Sequence, residues 1–595
     1  MCCNKLLLGS ARPREPHAKV RGVRTTRMSL PNSLMLAGLT VSGSILWMLH
    51  AGAWDLGRRS PVLNYDTAQY AVAARELASH GRLATTFALP LELAHQSEPP
   101  WPLAVVQPGM VLVEALVLKL LPHSTDEGGR QSGRWARPDQ QEWMLLIVPF
   151  VCFLMIATSL GLATRHLMRE TVPKQSTLVR AAAGLTLGLA FLLDPEAQHF
   201  AVGPFTELPF TLGLVLAVAA LALGQASLRP FLFGLLLGFT GAFRANMLWL
   251  APLLAAGAAM AAARERRVSV LLLVLAGFAA PLAPWWFYKW QAFGSPGWDL
   301  TRYVLWDGIG GHTWFSLYHL PSPPLLPEGA SAIAAIAGKI AGNLPGLVLA
   351  TMTGPRALWV AALIAWLFVA RPPRAQAVAG VCVLAIGAVS LVAAAASIPW
   401  LRYVFPARVL TESAGLLACW GLLARAADHG VGPRLRRTAS AFVTVLALGW
   451  GAWQTVQGLA EARAVSRERG TPSTLSMLQI AVMMNREIPA GEPVMSNLGP
   501  ELAWHSRRPV IHLALRPEAM AACRERTEFR HVMLVFRDPA RAWPGWQDLV
   551  AHPVEASRDP ELRIERARQY RSSDGFIIAW LELAPPEPKL ALARR

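Results

Sequence analysis

Apolar residues in this chain gather in long runs separated by short basic segments; they neither alternate as in a half-buried strand nor keep to one helical face. Residues 268–290 and 375–397 show the pattern best, each supplying the ~20 mostly apolar residues that carry a helix across a bilayer core. Comparable runs cover 33–53, 143–165, 180–202, 207–226, a tight hairpin over 229–263, 356–371, 409–427 and 439–459. With the hairpin counted as two, the pattern predicts about eleven membrane helices.

Their direction follows from charge. Lys and Arg collect in the N-terminal arm and at 165–180, 264–267, 371–374 and 425–437, and cytoplasmic loops carry such an excess. Placing every cluster inside leaves the N-terminus inside and the tail outside. A further apolar run at 101–121 would reverse all later helices if it crossed. Gln107-Pro108-Gly109 breaks it, so a re-entrant or surface-lying segment is expected there. The outer face then holds long loops at 54–142 and 291–355, short turns at 203–206 and 398–408, and the tail. In the tail a helical stretch at 474–487 is followed by strand-like runs at 493–498, 509–514, 531–536 and 575–583. The expected organisation is a basic cytoplasmic arm at 1–32, a mainly α polytopic membrane domain at 33–459 and a small α/β soluble domain at 460–595.

Composition agrees with a membrane body: 53% of residues are hydrophobic and 16% charged, against about a quarter charged in soluble domains. The net charge of +18 does not indicate nucleic acid, because the basic residues sit between apolar runs where they set orientation. The first run follows Arg21, Arg24 and Arg27 and ends in Ala51-Gly52-Ala53, which resembles a signal-peptidase site. It exceeds the roughly 7–15 apolar residues of a signal segment, so a retained first helix is expected. Cys152, Cys382 and Cys419 lie in apolar runs, Cys2 and Cys3 at the start and Cys523 in the tail, a distribution without a disulfide framework or thiolate metal site. His505, Arg507, Arg508 and His512 could contact an anionic acceptor, but read first as a solvated basic strand edge.

Candidate chemistry lies on the outer face. Asp66 opens a helical stretch ending at Gly81, where an acid suits both a helix cap and a site. Glu207, in Gly203-Pro204-Phe205-Thr206-Glu207-Leu208-Pro209, stands at the outer end of a crossing; an ionisable group there points to function, with an interfacial helix start as the plainer reading. Asp194 and Glu196 are weaker competitors within the preceding helix end. Arg244 at the hairpin tip and Arg402 in the late outer turn could each hold a phosphate bidentately or snorkel to headgroups. Two carboxylates and one or two guanidiniums make an inventory for displacing a phosphate leaving group from a sugar.

The order of these features resembles the GT-C membrane glycosyltransferases, in the bacterial branch of protein O-mannosyltransferase and lipid A aminoarabinose transferase relatives. The resemblance runs from residue 33 to about 453. It rests on Asp66 followed by Tyr70-Ala71-Val72-Ala73-Ala74-Arg75-Glu76-Leu77 and Gly81, then Gln107-Pro108-Gly109, Glu207 heading an apolar helix, Phe293-Gly294-Ser295-Pro296, and Arg402-Tyr403 with Pro406. It implies transfer of a sugar, with inversion, from a polyprenyl-phosphate donor to a glycan, lipid or protein acceptor in the periplasm of a bacterial inner membrane. By resemblance Asp66 is the general base, Glu207 positions the acceptor or, with Asp66, a divalent cation such as Mg or Mn, and Tyr70, Arg244, Arg402 and Tyr403 bind substrate. Two departures stand out: Asp66 is followed by Thr67 where relatives pair two acids, and Gln107-Pro108-Gly109 replaces a Lys-Pro-Pro segment. The competing readings are a surface-polysaccharide polymerase or ligase, which usually has its large outer domain between helices, and a non-catalytic transporter or scaffold. A transporter predicts doubled halves and acids in mid-membrane.

Overall fold

The computed structural model describes residues 30–585 apart from 105, 121–137, 172–174, 323–325, 327, 427–428, 469 and 557–561. Nearly all of the basic arm expected at 1–32, with Cys2 and Cys3, lies outside the described residues. Among the described residues seven helices are long and apolar enough to cross a membrane: Leu30–Trp54, Gln140–Glu170, Arg264–Phe293, Gly329–Thr351, Arg374–Ala396, Phe405–Arg425 and Pro433–Glu468. Thr177–Leu192 and Pro195–Ala201, joined at a 70° bend, form an eighth if taken as one span. Glu207–Ala222, Pro230–Gly241, Met247–Ala261 and Arg356–Ala370 are shorter apolar helices of the same bundle.

Gly329–Thr351 corrects the reading of 291–355 as loop: it is a 23-residue helix. Its apolar character is spread over Ala and Gly, and it packs along Arg374–Ala396. Lys339 Nζ lies 3.4 and 3.3 Å from Val304 O and Leu305 O, Asn343 Nδ2 donates to Ala395 O at 3.0 Å, and Leu347 packs on Ala394, Ala395 and Val404. Of these partners Ala394, Ala395 and Val404 flank, in sequence, the turn that carries Arg402. With this helix set aside, the other spans and the four shorter helices are the eleven that the apolar runs predict. The 23-residue helix Arg374–Ala396 separates Arg371 and Arg374 from the turn of Arg402, and Gln376 Nε2, 3.2 Å from Glu170 Oε2, brings the basic segment 165–171 to that same opposite end.

Glycine permits the closest helix approach. A Cβ at Gly234 of Pro230–Gly241 would stand 2.2 Å from Val274 O of Arg267–Phe293, so a small residue is required where these two backbones meet. The bundle shares one apolar core, from Met35 to Ala447. Segment 101–121 yields the 13-residue helix Pro108–Leu120, too short for ~20 residues of crossing, lying against Tyr65–His80.

The soluble sheet recruits a strand from the first outer loop. Ala84–Thr85 (β1) pairs with Trp101–Pro102 (β3), whereas Phe87–Ala88 (β2) runs parallel to Val510–His512 (β5). Val494–Ser496 (β4), His531–Phe536 (β6), Ile564–Arg571 (β7) and Ile577–Leu583 (β8) complete a six-stranded sheet in the order β2-β5-β4-β6-β8-β7, parallel from β2 to β6 and antiparallel beyond. Both faces are covered. In β6, Met533 and Val535 face the core shared with Tyr65–His80, and Val532 and Leu534 face a second core with Phe529 and Trp546, the two-residue alternation of a strand.

The solvated strand edge expected at 505–512 is overturned: His505, Arg508 and His512 are buried and only Arg507 is exposed. Arg508 is drawn inward by the carbonyls that end the Thr474–Glu487 helix, donating to Ile488 O at 2.7 Å and also to Pro489 O, a favourable place for a cation.

Candidate active site

Asp66 stands in the first turn of Tyr65–His80, but the cap is Asn64: its side chain accepts from Thr67 N at 3.2 Å while Thr67 Oγ1 accepts from Asn64 N at 2.9 Å. With this reciprocal box satisfying the helix end, the Asp66 carboxylate is left to look outward. It meets Arg402 of the short turn Leu401–Tyr403, whose Nη1 donates to Asp66 Oδ2 at 2.9 Å.

The same guanidinium reaches the second acid. Arg402 Nε and Nη2 lie 3.1 and 3.0 Å from Glu207 Oε1, and Arg244 Nη1 approaches that oxygen to 2.9 Å from the other side. Glu207 does open a helix, Glu207–Ala222, but its side chain is 0% exposed and that of Arg244 12%, so the helix start is buried in protein and headgroup snorkelling does not describe Arg244. Glu207 directly follows the non-helical stretch 203–206 and Arg244 lies in the turn after Gly241, irregular backbone that is tolerated because protein surrounds it. Gly109 fixes the second turn: its N–H donates to Ala242 O at 2.7 Å, and a Cβ would sit 2.7 Å from that carbonyl.

Aromatic rings wall the centre. The Arg244 guanidinium lies 5.4 Å from the Tyr403 ring, and that of Arg402 lies 5.9, 6.0 and 5.7 Å from Phe205, Trp400 and Tyr403, within reach of cation–π attraction. Burial opposes charge on Arg402, but Glu207 and Asp66 outweigh it and hold the guanidinium above its ordinary pKa. Burial raises the Tyr70 phenol, with Asp66 and Glu207 adding to it, so Tyr70 stays a neutral hydrogen-bonding group, in contact with Thr206. Every residue proposed from the sequence, Asp66, Tyr70, Glu207, Arg244, Arg402 and Tyr403, is thus brought to one place.

Asp194 and Glu196 belong to a separate buried network. Asp194 caps Pro195–Ala201 and binds Arg408 through both oxygens at 2.6 and 3.1 Å; Arg408 also reaches Glu196 at 2.8 Å and Glu412 at 3.5 Å, and Arg356 holds Glu412 at 2.6 Å. Sequence reasoning missed Arg408, although a lone arginine entering an apolar run signals that partners are waiting. A divalent cation does not fit what is present: among the described residues no group of three His, Cys, Asp or Glu side chains converges, and Asp66 and Glu207 already face guanidiniums.

Two further carboxyls lie buried near Asp66, outside the bundle. Burial pushes Glu92 up to about 8, although its Oε2 accepts from Leu89 N at 2.7 Å, and pushes Glu501 up to about 8 with Asp66 adding to it. An unfolded glutamate ionises near 4.5, so between there and about 8 the folded chain holds the extra protons. The stability they contribute is complete below about 4.5 and is lost as pH rises to about 8. The melting temperature of the wild-type protein is therefore expected to fall between pH 5 and pH 8, and that of Glu92→Gln/Glu501→Gln to fall less. Parallel declines in the two proteins would reject this account.

No family profile and no curated protein sequence matches the chain. Solved structures do. ArnT from Cupriavidus metallidurans in the apo state superposes with a TM-score of 0.52 at 14% identity, over 92% of this chain and 98% of that one. The same protein bound to undecaprenyl phosphate gives 0.50 at 13% identity over the same shares. The fold is that of ArnT. The polytopic architecture read from the order of sequence features is the one found, and at such low identity what is shared with ArnT is fold alone.

Proposed function

We propose that the protein is a membrane glycosyltransferase that moves a sugar from a polyprenyl-phosphate donor to an acceptor at the face where Asp66 and Arg402 meet. The observation that carries the reading is one guanidinium spanning two carboxylates from distant segments, with a second guanidinium behind it. The ArnT fold supports it, since a structure of ArnT holds undecaprenyl phosphate. In this reading the acceptor's hydroxyl or amine attacks the anomeric carbon and gives its proton to Asp66. The bond from that carbon to the phosphate oxygen breaks on the opposite face, inverting the centre, and its electron pair leaves with the polyprenyl phosphate. Arg402 and Arg244 receive that charge. Glu207, too deeply buried to meet an acceptor, holds the two arginines in register. The basic clusters at the opposite end support a bacterial inner membrane with the N-terminus cytoplasmic and the tail periplasmic. No step is assigned to a metal ion.

The test is sugar release and transfer from a panel of radiolabelled polyprenyl-phosphate monosaccharides by purified full-length protein with native membrane lipid. Asp66→Asn is expected to lower kcat by ~10²–10⁴-fold, the range for a lost general base, with donor KM little changed. Glu207→Gln should raise donor KM as well, because the arginines lose their anchor. Unchanged turnover in both variants, with both folded, would remove the catalytic assignment.

A further inference from the structure

The soluble tail is built into the back of this site. Asp66 and Arg75 lie on one helix nine residues apart, which is two and a half turns at 3.6 residues per turn, so they occupy opposite faces about 14 Å apart along the axis. The Asp66 face looks to Arg402. The opposite face looks to the tail: Arg75 Nη1 donates to Trp504 O at 2.6 Å and Nη2 to Ala503 O at 2.8 Å, with the guanidinium 5.0 Å from the Trp504 ring. Those carbonyls belong to the last turn of the Gly499–Ser506 helix, where a cation also meets the negative end of the dipole.

Two more ties fix the same helix. Tyr65, next to Asp66, has its ring 5.1 Å from His512 of β5 and 6.1 Å from Phe87 of β2, and His512 lies 4.5 Å from His319 of the second outer loop. Trp504 Nε1 donates to Glu142 Oε1 at 3.1 Å, anchoring the tail helix to the start of the Gln140–Glu170 span. The Asp66 helix is therefore gripped between the membrane bundle and the tail, with Arg75 as its only charged, two-pronged attachment to the Gly499–Ser506 helix among the hydrogen bonds of the described residues.

From this we infer that the tail is the rear wall of the active site and that Arg75 is a positioning residue, setting where the Asp66 carboxylate stands relative to Arg402 without touching substrate. The inference rests on the glycosyl-transfer reading. Placing a reacting group ~1 Å out of position costs ~10²-fold in rate, so Arg75→Ala is expected to lower kcat by ~10–100-fold while donor KM, governed by Arg244 and Arg402, stays within twofold.

The deciding experiment is a double-mutant cycle read by release of radiolabelled sugar from the polyprenyl-phosphate monosaccharide that the wild type turns over. If Arg75 acts through Asp66, Arg75→Ala changes the residual rate of Asp66→Asn less than twofold, and Arg75→Lys, which keeps one hydrogen bond, recovers part of the lost kcat. An equal fall in the Asp66→Asn background, or a rise in donor KM matching the fall in kcat, would overturn the inference. Should Arg75→Ala misfold, Arg75→Lys and Arg75→Gln are run through the same cycle with the same criteria. A wild type that releases no sugar from any donor defeats the glycosyltransferase reading itself, whereas an active wild type indifferent to Arg75 defeats only this inference.

Discussion

Arg402→Ala is expected to lower kcat/KM for donor turnover by ~10⁴-fold, the largest loss from any single change at the site. Removing one preorganised donor to a developing anion costs ~10²–10³-fold, and Arg402 does more than donate. It is the one group that holds Asp66 and Glu207 together, at 2.9 Å and 3.0 Å. Without it Asp66 loses its partner across the site and the fully buried Glu207 keeps only Arg244, so the base and the phosphate pocket are disordered together. Arg402→Lys distinguishes charge from geometry. An ammonium carries the same charge but is a point donor and cannot serve both carboxylates as a planar fork does, so it should recover no more than about tenfold. Donor turnover by the Ala variant within tenfold of wild type, in protein that elutes as a folded species, would mean that Arg402 does not organise the site. The phosphate would then have to be met elsewhere.

Much of the membrane body was legible in the sequence because bilayer thickness and charge asymmetry impose long-range order on a single chain. Length fixed the apolar runs, and the basic clusters gave them an expected direction. The Gly329–Thr351 helix, long and apolar enough to cross, was not among those runs. It escaped because its apolar character is carried by Ala and Gly in place of a run of large side chains. The site divides in the same way. Glu207, Arg244 and Arg402 were visible because charge at the end of an apolar run requires an explanation, and Asp66 because it opens a helical stretch in the first outer loop. Which charge meets which was hidden, since Arg402 pairs with residues 336 and 195 positions away, a distance spanned only by helix packing. The cap at Asn64 was a closer miss: Asn-x-x-Thr is itself a reciprocal capping pair, and reading it would have released Asp66 from that role. β2 left no trace, because two residues have no period. His505, Arg508 and His512 misled because polar side chains look solvated until their distant neighbours are known: Glu142 for His505, the carbonyls of Ile488 and Pro489 for Arg508, and the rings of Tyr65, His319 and Trp543 for His512.

Arg408→Leu should act on stability where Arg402→Ala acts on turnover. Arg408 is 8% exposed in its side chain and holds three carboxylates, Asp194 through two bonds and Glu196 and Glu412 through one contact each. A buried ion pair gains little over a well-packed apolar pair, but removing one partner leaves an uncompensated charge and costs about 3–5 kcal/mol. Here the loss leaves three acids with Arg356, which already serves Glu412 at 2.6 Å. The expected result is a fall of many degrees in the melting temperature of the detergent-solubilised protein, or failure to recover it from the membrane. Asp194→Asn is the informative companion. It removes one negative charge and keeps the shape that caps Pro195–Ala201, so combined with Arg408→Leu it should restore part of the lost stability. Additive losses in the double variant would show that Arg408 packs rather than neutralises. Because this network stands beside the site without sharing a residue with it, any double variant recovered folded should retain donor turnover, and that contrast with Arg402 separates the charges that build the bundle from those that meet the substrate.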